Sequence, residues 1–242
     1  MRPSVLRPGI SGPAVRDLQL ALNARLNPSP RLAASGQYDQ NTGRAVRAFQ
    51  VANWLEVDGI AGTCTLDAVH ETELHAPILH NVPFLAQPDD TSCWAAATAM
   101  IKGSSVAVIR MGTSTTLLGP GGLLNESEAG GRLEVHQRYA RIHGLRYHPP
   151  QSWGVAALIA LLRRGPLMME ALYNPRGYRR GQGSPGHYYV IVGARGSHGG
   201  DGLSTTLRIY DPAPPNEGDI LSWSYATLLR TIPLGTYGIF ST

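Results

Sequence analysis

The strongest constraint on this chain is a change of hydrophobic rhythm near residue 75. Before it, apolar residues recur at helical spacing. Val15, Leu18, Leu22 and Leu26 lie on one face of a predicted first helix opened by Gly12-Pro13. Asn27-Pro28-Ser29-Pro30 stops that helix. Ser35-Gly36 turns the chain, and Asp39 or Asn41 caps a second helix carrying Ala45, Val46 and Phe49. Asp58-Gly59-Ile60-Ala61-Gly62 makes another turn, and Thr63 caps a third helix with Leu66 and Val69. After the seam the apolar residues come in short runs bounded by Gly and Pro, which read as strands mixed with helices. The expected organisation is a three-helix module over 1–74, a linker over 75–80 and an α+β domain over 81–242. His70, His75 and His80 are read as linker residues, because their spacing straddles Pro77 and does not place two ligands on one helix face.

Charge and cysteine content exclude several functions. The 21 Lys and Arg against 17 Asp and Glu leave a formal charge of +4, with no dense basic run, so nucleic acid is not an expected partner. The two cysteines, Cys64 and Cys93, make neither a disulfide framework nor a zinc-ligand spacing. No metal or other cofactor is expected. Cys64 reads as a small semi-buried thiol. The N-terminus lacks the apolar core of a signal peptide, and no stretch is long enough to span a bilayer. Synthesis in a bacterial cytoplasm without a signal peptide is the expectation, followed by secretion or delivery to a target-cell periplasm.

Cys93 stands out from Cys64 by its position. A short apolar strand and a polar loop end at Ser92-Cys93, and the alanine-rich run Trp94–Ile101 follows at once. A thiol opening a helix meets free backbone N–H groups and the positive end of the helix dipole, both of which favour the nucleophilic thiolate. Gln87, six positions upstream, can fold its amide back to form an oxyanion hole with the Cys93 N–H. Trp94 is expected to pack behind the helix and shield the site.

A cysteine nucleophile needs an imidazole base. His136 and His143 fall on a predicted helix, Arg132–His143, as surface or packing residues; His148 and His198 fall in loops. His187 heads the apolar run Tyr188–Gly193, which gives it a rigid mount and an open side. The next strand, Leu207–Asp211, ends beside it if the two pair as a hairpin, so Asp211 can hold the imidazole; Asn216 is the alternative. A loop over Asn174–Gly186 carries Arg176, Arg179 and Arg180, which either meet substrate carboxylates or are merely solvated. The expected substrate-contacting residues are Trp94, Gly186, Arg176 and Arg179. Trp153–Arg164 is a predicted helix, Leu167–Leu172 a strand, and Tyr237–Phe240 closes the sheet. The glycine- and serine-rich stretch Gly103–Gly131 is left without an assignment, as a flap or an exchanged lobe.

These runs carry two resemblances. Gly12–Gln19, Gly36-Gln37-Tyr38, Thr42–Gln50 and Asp58–Gly62 with Thr65 resemble the peptidoglycan-binding domain family, with Ser35 and Asp39 standing where that family has aspartate and glycine. Val82-Pro83 through Gln87, then Cys93–Ala97, resembles the papain-like proteases of bacterial effector type, and Gly186-His187-Tyr188 resembles their histidine strand. The resemblances imply a papain-like domain with its nucleophile helix packed on an antiparallel sheet. They also imply amide hydrolysis, with Cys93, His187, Asp211 and Gln87 as the catalytic set. Peptidoglycan is then the expected partner and substrate, for an endopeptidase or amidase acting as an antibacterial effector or lysin, with secretion machinery and an immunity protein as further partners. Two alternatives stay open: an effector protease cleaving a target-cell protein, and a non-catalytic wall-binding protein.

Overall fold

The computed structural model describes residues 5–119, 121–124, 131–172, 186–197, 202, 204–232 and 237–242. The chain folds as two compact units. The first comprises Met1–Pro77, Ala194–Leu207 and Ser222–Ala226; the second comprises Ile78–Gly193, Arg208–Leu221 and Thr227–Thr242. The first unit's N-terminal stretch ends at Pro77, and two later segments of chain belong with it.

Three helices build most of the first unit: α1 (Pro13–Arg25), α2 (Gln40–Ala52) and α3 (Thr63–His70). Asp39 caps α2 by accepting from the Thr42 N–H at 2.8 Å. Val15, Leu18, Leu22, Val46, Phe49 and Leu55 form its core. Two buried glutamines fix the turns that the glycines open. Gln19 accepts from the Gly36 N–H and donates to the Gln37 carbonyl and Thr42 Oγ1. Gln50 accepts from the Gly59 N–H and donates to the Ile60 carbonyl and Asp58 Oδ1. A buried amide satisfied on both ends specifies a turn that propensity alone leaves loose. His70 is the last residue of α3, which corrects its reading as linker: the helix runs to the left-handed Glu71 (φ 54°) before it ends.

The second unit holds helices α4 (Cys93–Lys102), α5 (Val106–Gly112), α6 (Gly131–Ile142) and α7 (Val155–Leu162). Its strands are β1 (Ile78–Leu79), β2 (Arg146–His148), β3 (Leu167–Leu172), the start of β4 (Gly186–Gly196), the end of β5 (Thr205–Asp211), the first half of β6 (Asp219–Ser224), and β7 (Gly238–Ser241). The sheet order is β2-β7-β3-β4-β5-β6, with β1 added beside β4. β3 runs antiparallel to both β4 and β7. β1 approaches β4 closely at Gly193, where a Cβ would sit 2.6 Å from the Ile78 carbonyl oxygen.

α4 is buried on every side from Cys93 to Ile101. Its alanines let it lie close against the sheet, with Trp94 and Met100 filling the core beside Tyr139 and Phe240. The described part of 103–131 carries regular structure. Ser105 caps α5 through the Val108 N–H, a 3₁₀ turn spans Thr115–Leu117, and Leu118 pairs with Leu124. The predicted helix Trp153–Arg164 shortens to α7, and Trp153 precedes it as a buried core residue. Among the described residues, no helix is long and apolar enough to cross a membrane.

Candidate active site

Three elements converge on a cavity of about 540 Å³ in the second unit. α4 brings Cys93, β4 brings Gly186 and His187 at its first two positions, and β5 brings Asp211 at its last. Cys93 and His187 are 2% and 5% exposed, yet both line the cavity. Register places His187 opposite Ala171 of β3, so the imidazole is mounted on an interior strand.

His187 Nε2 lies 2.7 Å from Asp211 Oδ1, a bond that leaves Nδ1 for the sulfur. A hydrogen bond to the Cys93 side chain completes the line. Burial by itself works against charge on this imidazole. The bonds to Asp211 and Cys93, and the negative charges behind them, more than offset it and raise the pKa from 6.5 to about 9. The ring is also held edge-on by Tyr189, at 4.6 Å between centroids. Asp211 accepts a second bond from the Ala213 N–H, which fixes the carboxylate as well.

Asp211 rather than Asn216 therefore makes the bond to the imidazole. Asn216 takes a left-handed backbone (φ 65°) and donates its N–H to the Gln87 carbonyl at 2.8 Å. The Gln87 N–H in turn reaches the Pro212 carbonyl at 2.9 Å. The glutamine loop and the loop after β5 are thus tied through backbone alone.

Gln87 is buried at the cavity wall and donates from Nε2 to the Asp89 carbonyl at 2.8 Å. That bond fixes which way the amide faces, and its second N–H has no partner among the described residues. Asp89 is an anchor the sequence did not single out. It accepts from the Thr91 N–H and hydroxyl and pairs with Arg110 of α5 at 2.7 Å. Burial opposes its charge, but these hydrogen bonds win and lower its pKa.

Trp94 packs behind the helix, and only its place among the expected substrate contacts needs correcting, since it does not line the cavity. It is 1% exposed, stands edge-on to Tyr139 and donates from Nε1 to the Gly122 carbonyl at 3.0 Å. It is a core residue that pins the 119–124 loop, and Leu123 of that loop lines the cavity. Gly186 does line the cavity. Arg176, Arg179, Arg180 and His198 lie outside the described residues. Unforeseen lining residues are Asp90, Asp219 and the Ala213-Pro214-Pro215 turn. The charged residues on the described walls are therefore acids and the histidine.

The other histidines and the second cysteine sit in different settings. His136 is fully buried against Tyr188, Tyr147 and Phe240, and burial with nearby Arg132 lowers its pKa to about 3. His148 falls in β2 and contacts Ser241 Oγ. His143 contacts Thr113 Oγ1. Cys64 is buried in the first unit, and burial pushes its pKa up to about 11, the setting of an inert thiol.

The family model for papain-like cysteine protease AvrRpt2 matches residues 77–225, which is more than half of the chain and includes Gln87, Cys93, His187 and Asp211. The chain belongs to this papain-like cysteine protease family. The peptidase carries a second match over residues 11–69, to a putative peptidoglycan binding domain. A zinc D-Ala-D-Ala carboxypeptidase from Streptomyces albus G is 38% identical over 68 residues, 28% of this peptidase and 27% of that protein. The chain thus spans about a quarter of the length of this curated relative. Among solved structures, the SleB N-terminal domain is 30% identical over 30% of this chain and 94% of its own, with a TM-score of 0.27. A putative C39-like peptidase from Bacillus anthracis is 14% identical over 69% of this chain and 98% of its own, with a TM-score of 0.44.

Proposed function

We propose that this papain-like peptidase hydrolyses amide bonds in the stem or cross-link peptides of peptidoglycan, while residues 1–74 keep it on the wall. On this reading the hydrolase is the 81–242 region, and of the expected 75–80 linker Ile78–Leu79 is instead β1, paired with β4 in the hydrolase sheet. The observation that carries the chemistry is the line Cys93–His187–Asp211 on one cavity wall, with Gln87 beside it. The peptidoglycan-binding match on the same chain carries the choice of substrate, since tethering raises the local concentration of wall peptides.

The residues divide the work as follows. Cys93 attacks the amide carbonyl as thiolate, held at the start of α4 and charge-paired with the His187 imidazolium. The Cys93 N–H and the second Nε2–H of Gln87 receive the oxyanion. His187 then protonates the leaving amine through Nδ1, which releases the first product and leaves a thioester on Cys93. Neutral His187 takes a proton from water, the hydroxide displaces the sulfur, and the acid product departs. Asp211 fixes the ring and its tautomer throughout.

Two outcomes follow from this division. Gln87→Ala keeps both backbone bonds of that residue, so the loop should stay in place. Its kcat should fall roughly 10²–10³-fold with little change in KM, because the lost donor acts on the transition state. The pH profile of kcat/KM should fall on the alkaline side near pH 9, where His187 loses its proton. Asp211 raises that pKa, so Asp211→Asn should move the alkaline limb to lower pH and reduce the plateau. An unmoved limb in the variant contradicts the role given to Asp211.

The decisive test digests purified peptidoglycan with wild type and with Cys93→Ala and identifies the products by mass spectrometry. New amino and carboxyl termini in stem peptides from wild type alone are expected. The family match favours one rival, a protease acting on a target-cell protein. An unchanged wall together with cleavage of a protein library would establish that rival. Inactivity on both would leave a non-catalytic wall-binding protein. Action at the wall also implies export or delivery to that compartment, with secretion machinery and an immunity protein as the partners to seek.

A further inference from the structure

A second cavity, about 590 Å³, lies wholly within the first unit and contains none of the residues just assigned to catalysis. One wall is the loop after α1; the other is the outer face of α2. The loop is preshaped. Asn23 clips it at Leu32, donating to the carbonyl at 2.9 Å and accepting from the N–H at 2.7 Å. Arg31 within it holds a left-handed backbone, φ 51°, which side-chain-bearing residues adopt only at a cost. On α2 the stripe Asn41, Arg44, Ala45, Ala48 and Ala52 follows helical spacing, and its alanines leave a shallow apolar floor.

The guanidinium groups here are uncommitted. Elsewhere in the unit Arg25 pairs with Glu71 and Arg47 donates to the Asp58 carbonyl. Among the described residues, neither Arg31 nor Arg44 has a side-chain hydrogen bond or ion pair, and the side-chain amides of Asn27 and Asn41 have none. The one acid in the lining, Asp39, has Oδ1 engaged by the Thr42 N–H and hydroxyl at the start of α2, where the helix amides meet its charge. The cavity is thus net positive, small-residue floored and edged by two free amides. Its size suits a short peptide.

We propose that this cavity binds a short peptide of small residues ending in a free carboxylate, with Arg31 and Arg44 holding the carboxylate and Asn27 and Asn41 the peptide groups. The proposal rests on the reading of residues 1–74 as a wall-binding module and names the part of the wall it grips: the end of an uncrosslinked stem peptide rather than the glycan. Two guanidinium groups can pair ionically with a carboxylate, and a neutral sugar offers them no counter-charge. The alanine floor gives a methyl side chain an apolar surface to lie on.

The test uses the full chain carrying Cys93→Ala, to stop turnover, and adds Arg31→Ala, Arg44→Ala or both. Both arginines are exposed, so unfolding curves should match the parent. The probes are a synthetic stem pentapeptide with a free C-terminus, the same peptide amidated, and a chitooligosaccharide, titrated by NMR. The acid should bind saturably, with shifts at Arg31, Arg44 and Ala48. Amidation and each single substitution should weaken it roughly tenfold, the double variant should lose it, and added salt should weaken it. Equal affinity for acid and amide, no loss in the arginine variants, saturation by the chitooligosaccharide at this cavity, or no saturable binding of the acid would overturn the proposal. A parallel pull-down on purified wall separates two failures. If the parent is not retained, the wall-binding reading falls. If parent and double variant are retained equally, only this site falls.

Discussion

Replacing Cys93 with Ala should lower kcat on any cleaved amide by roughly 10⁵–10⁶-fold, and His187→Ala should cost about as much. The two groups act as one device. Once the sulfur is gone the imidazole has no proton to manage, and once the imidazole is gone the sulfur has no partner to charge it or to protonate the leaving amine. The double variant should therefore be little worse than either single one, since residues that act as a unit are far from additive. Losses that multiply instead would mean the two side chains serve separate steps and that the His187–Cys93 contact is incidental. Cys64→Ala provides the control. Its thiol is buried and its pKa is raised, so activity should hold.

The second large effect concerns stability. Arg195 and Glu73 form a two-pronged ion pair inside the first unit, Nε to Oε1 at 2.8 Å and Nη2 to Oε2 at 2.7 Å. Their side chains are only 8% and 14% exposed. Arg195 also donates to the Asn53 carbonyl at 2.6 Å and lies over the Trp54 ring, 5.3 Å from its centroid. Glu73→Ala leaves the guanidinium buried without its counter-charge and should cost roughly 3–5 kcal/mol, a large share of an ordinary domain's stability. Replacing both partners by apolar residues of similar volume, as Arg195→Met with Glu73→Leu, should cost much less, because no orphaned charge remains. Urea unfolding followed by tryptophan fluorescence reads both. A loss below about 1 kcal/mol for Glu73→Ala would place the pair with ordinary surface ion pairs.

Neither partner of that ion pair was legible in the sequence. They stand 122 positions apart, and nothing local marks either as buried. The same holds for Asp89 with Arg110, and for Glu170, which is fully buried in β3 and paired with Arg132 of α6. Local signals did reveal the three helices of the first unit, because caps, glycine turns and apolar spacing all agree there. They also revealed the nucleophile helix, where a polar loop meets an alanine run, and the histidine at the head of an apolar strand. They left Asp211 and Asn216 as rivals, since the choice depends on how two loops fold back on each other. Asn216 spends its backbone N–H on Gln87, and Asp211 ends the strand beside His187. α5 escaped notice because seven residues carry too little periodicity to rise above a Gly/Ser-rich background. The sequence places Trp94 both behind the helix and against substrate for a related reason. A helix buried on every side has no polar face to show which of its residues meets the cavity.

If a wall peptide acylates Cys93, the acyl-enzyme itself should be trapped during turnover. Wild-type protein should be mixed with purified peptidoglycan fragments, quenched in acid within a turnover, and examined by intact-protein and peptide mass spectrometry. An added peptide fragment is expected on the segment containing Cys93, absent from Cys93→Ala. Hydrolysis of the fragments at full rate by the Cys93→Ala protein, with no adduct on the wild type, would contradict this acylation.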